Sequence, residues 1–475
     1  MAVKVGIIGG GVAGVTTALV LGNLGIDVTL FEKKRSLISG PPFCHLHAGG
    51  NLYREISNEQ CITLLRQSLD FAKLYPFAID KRPTIFATPV YDPNNPLDIV
   101  DRLNILVEEY KSIIQKDKTK AILGKSEDYY QLFGRDDLLK ISKKSIIDNP
   151  KSNEEWLIPF AKNIDFSTIK FPVIVIQEYG INLFRLAANS GLALEAMKSV
   201  ELLRGCEVSS VKSYKDKYIL EFNGAKKGFL EVDYLVNAAG FRTGIIDDML
   251  NIKTKRVVEF KAAYTTKWED RCNIWPEVIF HGIRGTNRGM GQWTPYCNGY
   301  VQLHAMTKDI TLFRDGLAKS TDESSYPKLP KKFLDIIDTG WDKSLKDIRT
   351  KRAIEYLSYF FPKFKDAKIG GKPLYGAQQI LGEDITLRVA EVSFPKPKYA
   401  RCEIIKVSSV NDMTKEIVKN ISRYFNISTK DNLFDIDELK ELNENEITKR
   451  ACEVAKIVGY PTELGKRCNL LSNLS

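Results

Sequence analysis

Lys4 to Lys34 reads KVGIIGGGVAGVTTALVLGNLGIDVTLFEKK, an apolar run that ends in a cluster of glycines and closes on a carboxylate. No other stretch narrows the possible folds as far. Val5, Ile7 and Ile8 are too uniformly apolar to alternate, which suits a parallel strand covered on both faces. Gly9, Gly11 and Gly14 then fall on the spacing G-x-G-x-x-G. The first glycine allows a tight turn, and the second lets backbone N–H groups approach a pyrophosphate. The third lets the next helix lie close to the strand. Val15, Leu19 and Val20, with Ala13 and Ala18, give that helix an apolar face. Its first turn, from Val12 and Ala13, offers free N–H groups and partial positive charge, so a diphosphate is stabilised there without a lysine. Gly25 ends the helix, Asp27 to Phe31 is a second strand, and Glu32 follows. A carboxylate there, about 20 residues past the glycines, accepts hydrogen bonds from a ribose diol. It also repels a 2′-phosphate, which argues against NADP. Lys33 is assigned to the same nucleotide site.

The loop alone suits NAD or FAD, since both carry an ADP moiety. Three features favour FAD. The motif begins almost at the first residue. The run HGIRGTNRGMGQW has glycines 282, 285, 289 and 291 but reaches Thr294 where a second motif needs its last glycine. Finally, Asp233 to Gly244, DYLVNAAGFRTG, is an apolar strand running into small residues. That suits a chain crossing back beside the same nucleotide, with Ala238, Ala239 and Gly240 against it.

With 475 residues and 44% hydrophobic content the chain can bury large cores, and two interleaved domains are expected. The 69 basic and 59 acidic residues give a net charge of +10 spread along the chain. That reads as a general composition bias, so no nucleic-acid partner is expected and membrane contact is at most peripheral. No run of 18 apolar residues offers a membrane span. The eight scattered cysteines form no CxxC pair, which fits reduced thiols in a cytoplasmic protein and no metal site.

The expected fold class is α/β, with a Rossmann-type FAD-binding domain interleaved with an α+β substrate domain built on an antiparallel sheet. Residues 1–80 form the first part of the FAD-binding domain, including a Gly-, Pro- and His-rich loop, GPPFCHLHAGGNLYREIS, and an amphipathic helix over 58–74. Residues 81–175 supply a substrate-domain strand and a helical insertion over 97–165, and 176–255 return to the FAD-binding domain. From 256 to 375 period-two alternation, as in VVEFKAAYTTKW and GYVQLHAMT, predicts an antiparallel sheet with one covered face. Residues 376–430 lead back to the FAD-binding domain. The tail, 431–475, is charged and helical, suited to covering a surface or to association.

This layout resembles the D-amino-acid-oxidase-type FAD oxidoreductases, a superfamily that includes glycine oxidase, dimethylglycine dehydrogenase, L-2-hydroxyglutarate dehydrogenase and malate:quinone oxidoreductase. The matching segments are Val5 to Glu32, VNAAGF at 236–241 and CHLHAGG at 44–50. The last sits where relatives place a loop against the isoalloxazine, which implies His45, His47 and Ala48 beside the flavin. Val208 completes the implied cofactor set. Relatives with HAAG attach FAD through that histidine, so His47 is either a non-covalent neighbour or a covalent anchor. Two departures stand out: YARCEIIKVSSVNDM replaces the family's glycine-rich C-terminal loop, and the helical insertion has no counterpart.

The resemblance implies removal of hydride from a carbon bearing N or O, on a small amino or hydroxy acid, to flavin N5. The protein must orient the C–H bond, hold the carboxylate and accept a proton. Arg284 and Arg288 in HGIRGTNRGMGQWTPY suit the carboxylate through their planar forks, and Gln292 and Tyr296 add hydrogen bonds. His281 or His304, on alternating strands, suits the base, and His47 is a third candidate for contact with flavin or substrate. Oxygen, a quinone or a redox protein each remain open as electron acceptor. A monooxygenase or halogenase reduced by NAD(P)H, or a non-catalytic flavin-binding protein, would open with the same loop.

Overall fold

A computed structural model describes residues 3–40, 45–46, 56–269, 274–385, 387 and 389–468. The chain opens with β1 (Lys4–Ile8), α1 (Val12–Asn23) and β2 (Asp27–Glu32). Next come α2 (Asn58–Leu74), β3 (Ile79–Asp80) and β4 (Thr84–Ala87). An insertion carries α3 (Val100–Lys116), β5 (Tyr130–Phe133), α4 (Arg135–Ile141) and α5 (Asn153–Asn163). It is followed by β6 (Val173–Ile176), β7 (Gly180–Ile181), α6 (Leu183–Ala196) and β8 (Val200–Arg204). A meander of β9 (Cys206–Tyr214), β10 (Lys217–Gly224) and β11 (Gly228–Val232) precedes β12 (Tyr234–Asn237) and α7 (Thr243–Met249).

The second half begins with β13 (Arg256–Lys267), β14 (Glu277–Phe280), β15 (Gly291–Pro295), β16 (Tyr300–Ala305) and β17 (Leu317–Lys319). Then come α8 (Lys331–Thr339), α9 (Lys343–Ser358), β18 (Lys368–Ile369) and β19 (Leu374–Leu381). The chain closes with β20 (Val392–Lys396), β21 (Tyr399–Cys402), α10 (Val410–Phe425), α11 (Asp437–Lys440) and α12 (Glu444–Ile457).

Two large sheets organise these elements. The nucleotide sheet has the order β20-β21-β12-β1-β2-β8. Its five strands from β21 to β8 are parallel, with Val5 opposite both Val28 and Tyr234. Apolar β1 sits at the centre, as its composition demands, and α1 lies across the sheet with Ala13 to Gly22 buried. The second sheet runs β17-β13-β16-β15-β14-β4-β6-β5, with β18 and β19 also paired to β13.

The structure corrects the expected sheet in two respects. The pairing of β14 with β4 is parallel, so the sheet is mixed. It is also covered on both faces. Ile85, Val278, Phe280, Trp293 and Leu303 pack on one side with Ala353, Leu357 and Phe361. Phe86, Ile279, Tyr296 and Leu374 on the other side join the core that contains β1, β2 and α1. The helical insertion also contributes β5, which extends the sheet beyond β6.

The C-terminal segment is built into the fold. Asn443 and Glu446 form a reciprocal cap at the start of α12, which fixes where it begins. Buried Arg185 on α6 bonds Glu444 at 2.6 Å and Thr448 at 3.0 Å, while Arg450 takes both oxygens of Glu195. Removing Arg185 would break its bonds to Glu444 and Thr448, so α6 and α12 are tied together through this buried guanidinium.

Candidate active site

A cavity of about 770 Å³ opens where β1, β2 and β12 end, the position at which parallel sheets bind ligands. The glycines of the opening loop divide their work there. Gly9 has φ +107°, and a Cβ on it would lie 2.4 Å from the Ala238 carbonyl oxygen. A Cβ on Gly14 would lie 1.9 Å from the oxygen of Gly9, so this glycine is what allows α1 to approach the strand. Gly11 differs: a Cβ there meets nothing within 4 Å. It caps α1 without a side chain, and the first turn contains no acid. Gly11 therefore leaves space and the first-turn amides, including those of Val12, Ala13 and Gly14, to an anion, which fits a diphosphate.

Glu32 has a second task. It is 8% exposed, and its two oxygens accept the Gly10 N–H at 2.8 Å and the Lys34 N–H at 2.7 Å. Burial pushes its pKa up against those two bonds and the neighbouring lysines. The carboxylate thus braces the glycine loop, and each oxygen retains a lone pair for a ribose hydroxyl.

Lys33 lies 3.3 Å from Asp338, which Arg242 also grips through both oxygens, so the end of α8 closes one wall. Val208, Ala238, Ala239 and Gly240, assigned to the nucleotide site by the sequence, line the cavity. Sequence reasoning missed the opposite wall. Val454, Ile457 and Tyr460 of the C-terminal segment line it, and the Tyr460 hydroxyl donates to the Pro373 carbonyl at 2.7 Å.

The large sheet turns a polar row toward the nucleotide domain. Gln292 stands opposite His304, and Thr294 opposite Gln302. Side chains alternate along a strand, so Trp293 and Leu303 point into the opposite core while these face the other way. Glu277 on β14 belongs to the row: its Oε1 accepts from Gln292 and, at 3.1 Å, from the Thr294 hydroxyl. His45 meets it from the N-terminal domain, held by a bridge to Gly180. Its Nε2 lies 3.1 Å from Glu178 and its Nδ1 3.5 Å from Glu277. Burial opposes charge on His45, but Glu277 and Glu178 outweigh it and raise the pKa to about 9. His304 goes the other way. Burial, with Lys261 acting in the same sense, lowers its pKa to about 4 despite Glu277.

The expected catalytic residues do not all converge. Tyr296 continues the row, donating to Gln302 at 3.1 Å. His281 stands at the far end of β14 with its Nδ1 2.9 Å from Asp92. Arg284 is paired with Glu259, and Arg288 lies over the Tyr91 ring at 4.7 Å. The expected carboxylate clamp is not assembled as a pair: Arg284 gives one nitrogen to Glu259 on β13, and Arg288 stacks on Tyr91. The pKa of His304, expected near neutral, lies lower because burial disfavours the charged ring. His47 and Ala48, and with them the question of a covalent flavin link, lie outside the described residues. Glu277, Glu178 and Lys261 were missed. The alternation of Gln292, Thr294, Gln302 and His304 in otherwise apolar strands was the available signal.

A family model described as an FAD binding domain matches residues 2–49, the stretch that contains the glycine loop and Glu32. No curated protein matches the sequence. Among solved structures, glycine oxidase from Geobacillus kaustophilus superposes with a TM-score of 0.56 at 13% identity, over 92% of this chain and 99% of that one. Glycerol-3-phosphate dehydrogenase from Bacillus halodurans, complexed with FAD, gives 0.57 at 13% identity, over 97% and 73%. The L-α-glycerophosphate oxidase of Mycoplasma pneumoniae, with FAD bound, gives 0.55 at 15% identity, over 91% and 97%. The chain thus shares the fold of these FAD oxidoreductases, and its FAD-binding domain lies where the loop geometry places a diphosphate. No described helix is long and apolar enough to cross a membrane.

Proposed function

We propose that the chain is an FAD-dependent oxidoreductase that takes hydride from a C–H of a small amino or hydroxy acid. One observation carries this reading: a row of hydrogen-bonding side chains, from Glu277 to His304, on a buried sheet face turned toward the nucleotide domain. Such groups are costly to bury, and the row gives a small polar molecule its binding partners. The flavin, when bound, supplies the hydride acceptor. Gly11 and the first turn of α1 hold its diphosphate, and Glu32 its ribose. His304, neutral above about pH 4, can accept a hydrogen bond from the substrate N–H or O–H. Lys261, 3.0 Å from Glu259 and 2.7 Å from Gln378, shares that glutamate with Arg284, and the two cations against one carboxylate leave a net positive charge complementary to a substrate carboxylate. His45, charged between two glutamates, ties the N-terminal half of the chain to the sheet.

Anaerobic mixing tests the reading. The FAD-loaded protein is offered 2-amino and 2-hydroxy acids in turn, and the visible absorbance of the flavin is followed. Bleaching by one of these acids alone is expected. Bleaching only by NADPH would instead support a monooxygenase, and bleaching by dithionite alone a non-catalytic flavin protein.

A further inference from the structure

A second cavity, of about 210 Å³, lies between the β3–β4 connection, the end of β15 and the C-terminal segment. Arg82, Lys466 and Arg467 line it, with Lys81 at its mouth and Asp80 as its one lining carboxylate. Arg82 is 9% exposed and gives one nitrogen to Asp80 at 3.2 Å. Its Nε is buried without a hydrogen-bond partner, and so is the Nε of Arg467. Arg467 spends its other nitrogens on Glu444 and on the carbonyls of Pro76, Phe77 and Ile79. Among the described residues no carboxylate pairs with Lys466 or Lys81. Four cations thus line the cavity against one lining carboxylate, an excess of positive charge that an anion there would offset. Trp156, Trp275 and Pro295 supply flat apolar walls. The volume is below the range of about 300–1,000 Å³ typical of drug-sized ligands, which limits the occupant to about one ring and one charged group.

We propose that this cavity is a second ligand site, separate from the flavin cavity, for a small carboxylate carried on a flat apolar body. The carboxylate would sit among Arg82, Arg467 and Lys466, and its ring between Trp156 and Trp275. The two cavities share no lining residue, although Tyr296 of the polar row also lines this one.

The test is a ¹⁹F NMR titration of 4-fluorophenylacetate into the full-length, FAD-loaded protein. Saturable line broadening is expected, with flavin absorption unchanged. Binding should weaken about tenfold in Arg82→Gln, which removes a buried charged donor. In Lys466→Gln it should weaken about threefold, as for a half-exposed charge. Lys466 has no described carboxylate partner to strand, so that variant answers the question even if Arg82→Gln fails to fold. The neutral 4-fluorophenylacetamide should not bind. Absence of saturation, equal binding of the amide, indifference to both substitutions, or a flavin absorption change tracking the titration would each overturn the proposal.

Discussion

Gly11→Asp is expected to yield a folded but colourless protein, with FAD affinity lowered about a hundredfold or more. The argument rests on where the new side chain goes. A Cβ at Gly11 meets no atom within 4 Å, and the backbone there, at φ −72° and ψ 178°, accepts any L-residue. Asp is a favoured helix cap, so its carboxylate would take the first-turn N–H groups of α1 for itself. The substitution should therefore hold or raise the melting temperature while occupying the diphosphate position with a negative charge. Gly14→Ala provides the contrast: its Cβ, 1.9 Å from the Gly9 oxygen, must push helix from strand, so stability and flavin should fall together. Absorbance of the purified variants and their thermal melts separate the two cases. A yellow Gly11→Asp protein would move the diphosphate elsewhere.

Stability should peak near pH 6.5, because two buried histidines have opposite shifts. The folded pKa of His45 is raised from 6.5 to about 9, so its contribution is complete below 6.5 and is lost as pH rises through 9. That of His304 is lowered from 6.5 to about 4, so its contribution is present above 6.5 and is lost as pH falls through 4. Each limb is worth about 3 kcal/mol at most. Melting temperatures across this interval check the shape. Glu277→Gln should flatten the alkaline limb by removing one of the two charges that hold the His45 imidazolium. His304→Asn should remove the acid limb alone. A profile that climbs steadily from pH 6.5 to 9 would contradict the assigned His45 environment.

What could be read from the sequence was what lies close together in it. The strand, loop, helix, strand and Glu32 of the opening segment interact within about thirty residues, so the spacing alone states their geometry. The polar row was half visible, in the alternation of Gln292, Thr294, Gln302 and His304, but its centre was not. Glu277 looks like an ordinary strand-edge residue until His45 is set against it. Glu178, which completes that cluster, is 133 residues from His45 along the chain. The same remoteness concealed Glu259, which Arg284 and Lys261 share. The C-terminal segment showed helical periodicity, and nothing in it indicated that Tyr460 faces a nucleotide cavity. Its cap residues and the buried Arg185 place it there. Burial on both sides of the large sheet was obscured for a related reason, since polar residues satisfied inside the protein look from the sequence like residues facing water.

The most direct test is the flavin stoichiometry of the purified chain, measured by absorbance after removal and re-addition of FAD. The account predicts one tightly held FAD per chain, with none retained in the Gly11→Asp protein, where the introduced carboxylate fills the diphosphate position. A wild-type chain that stays colourless in excess FAD would contradict it.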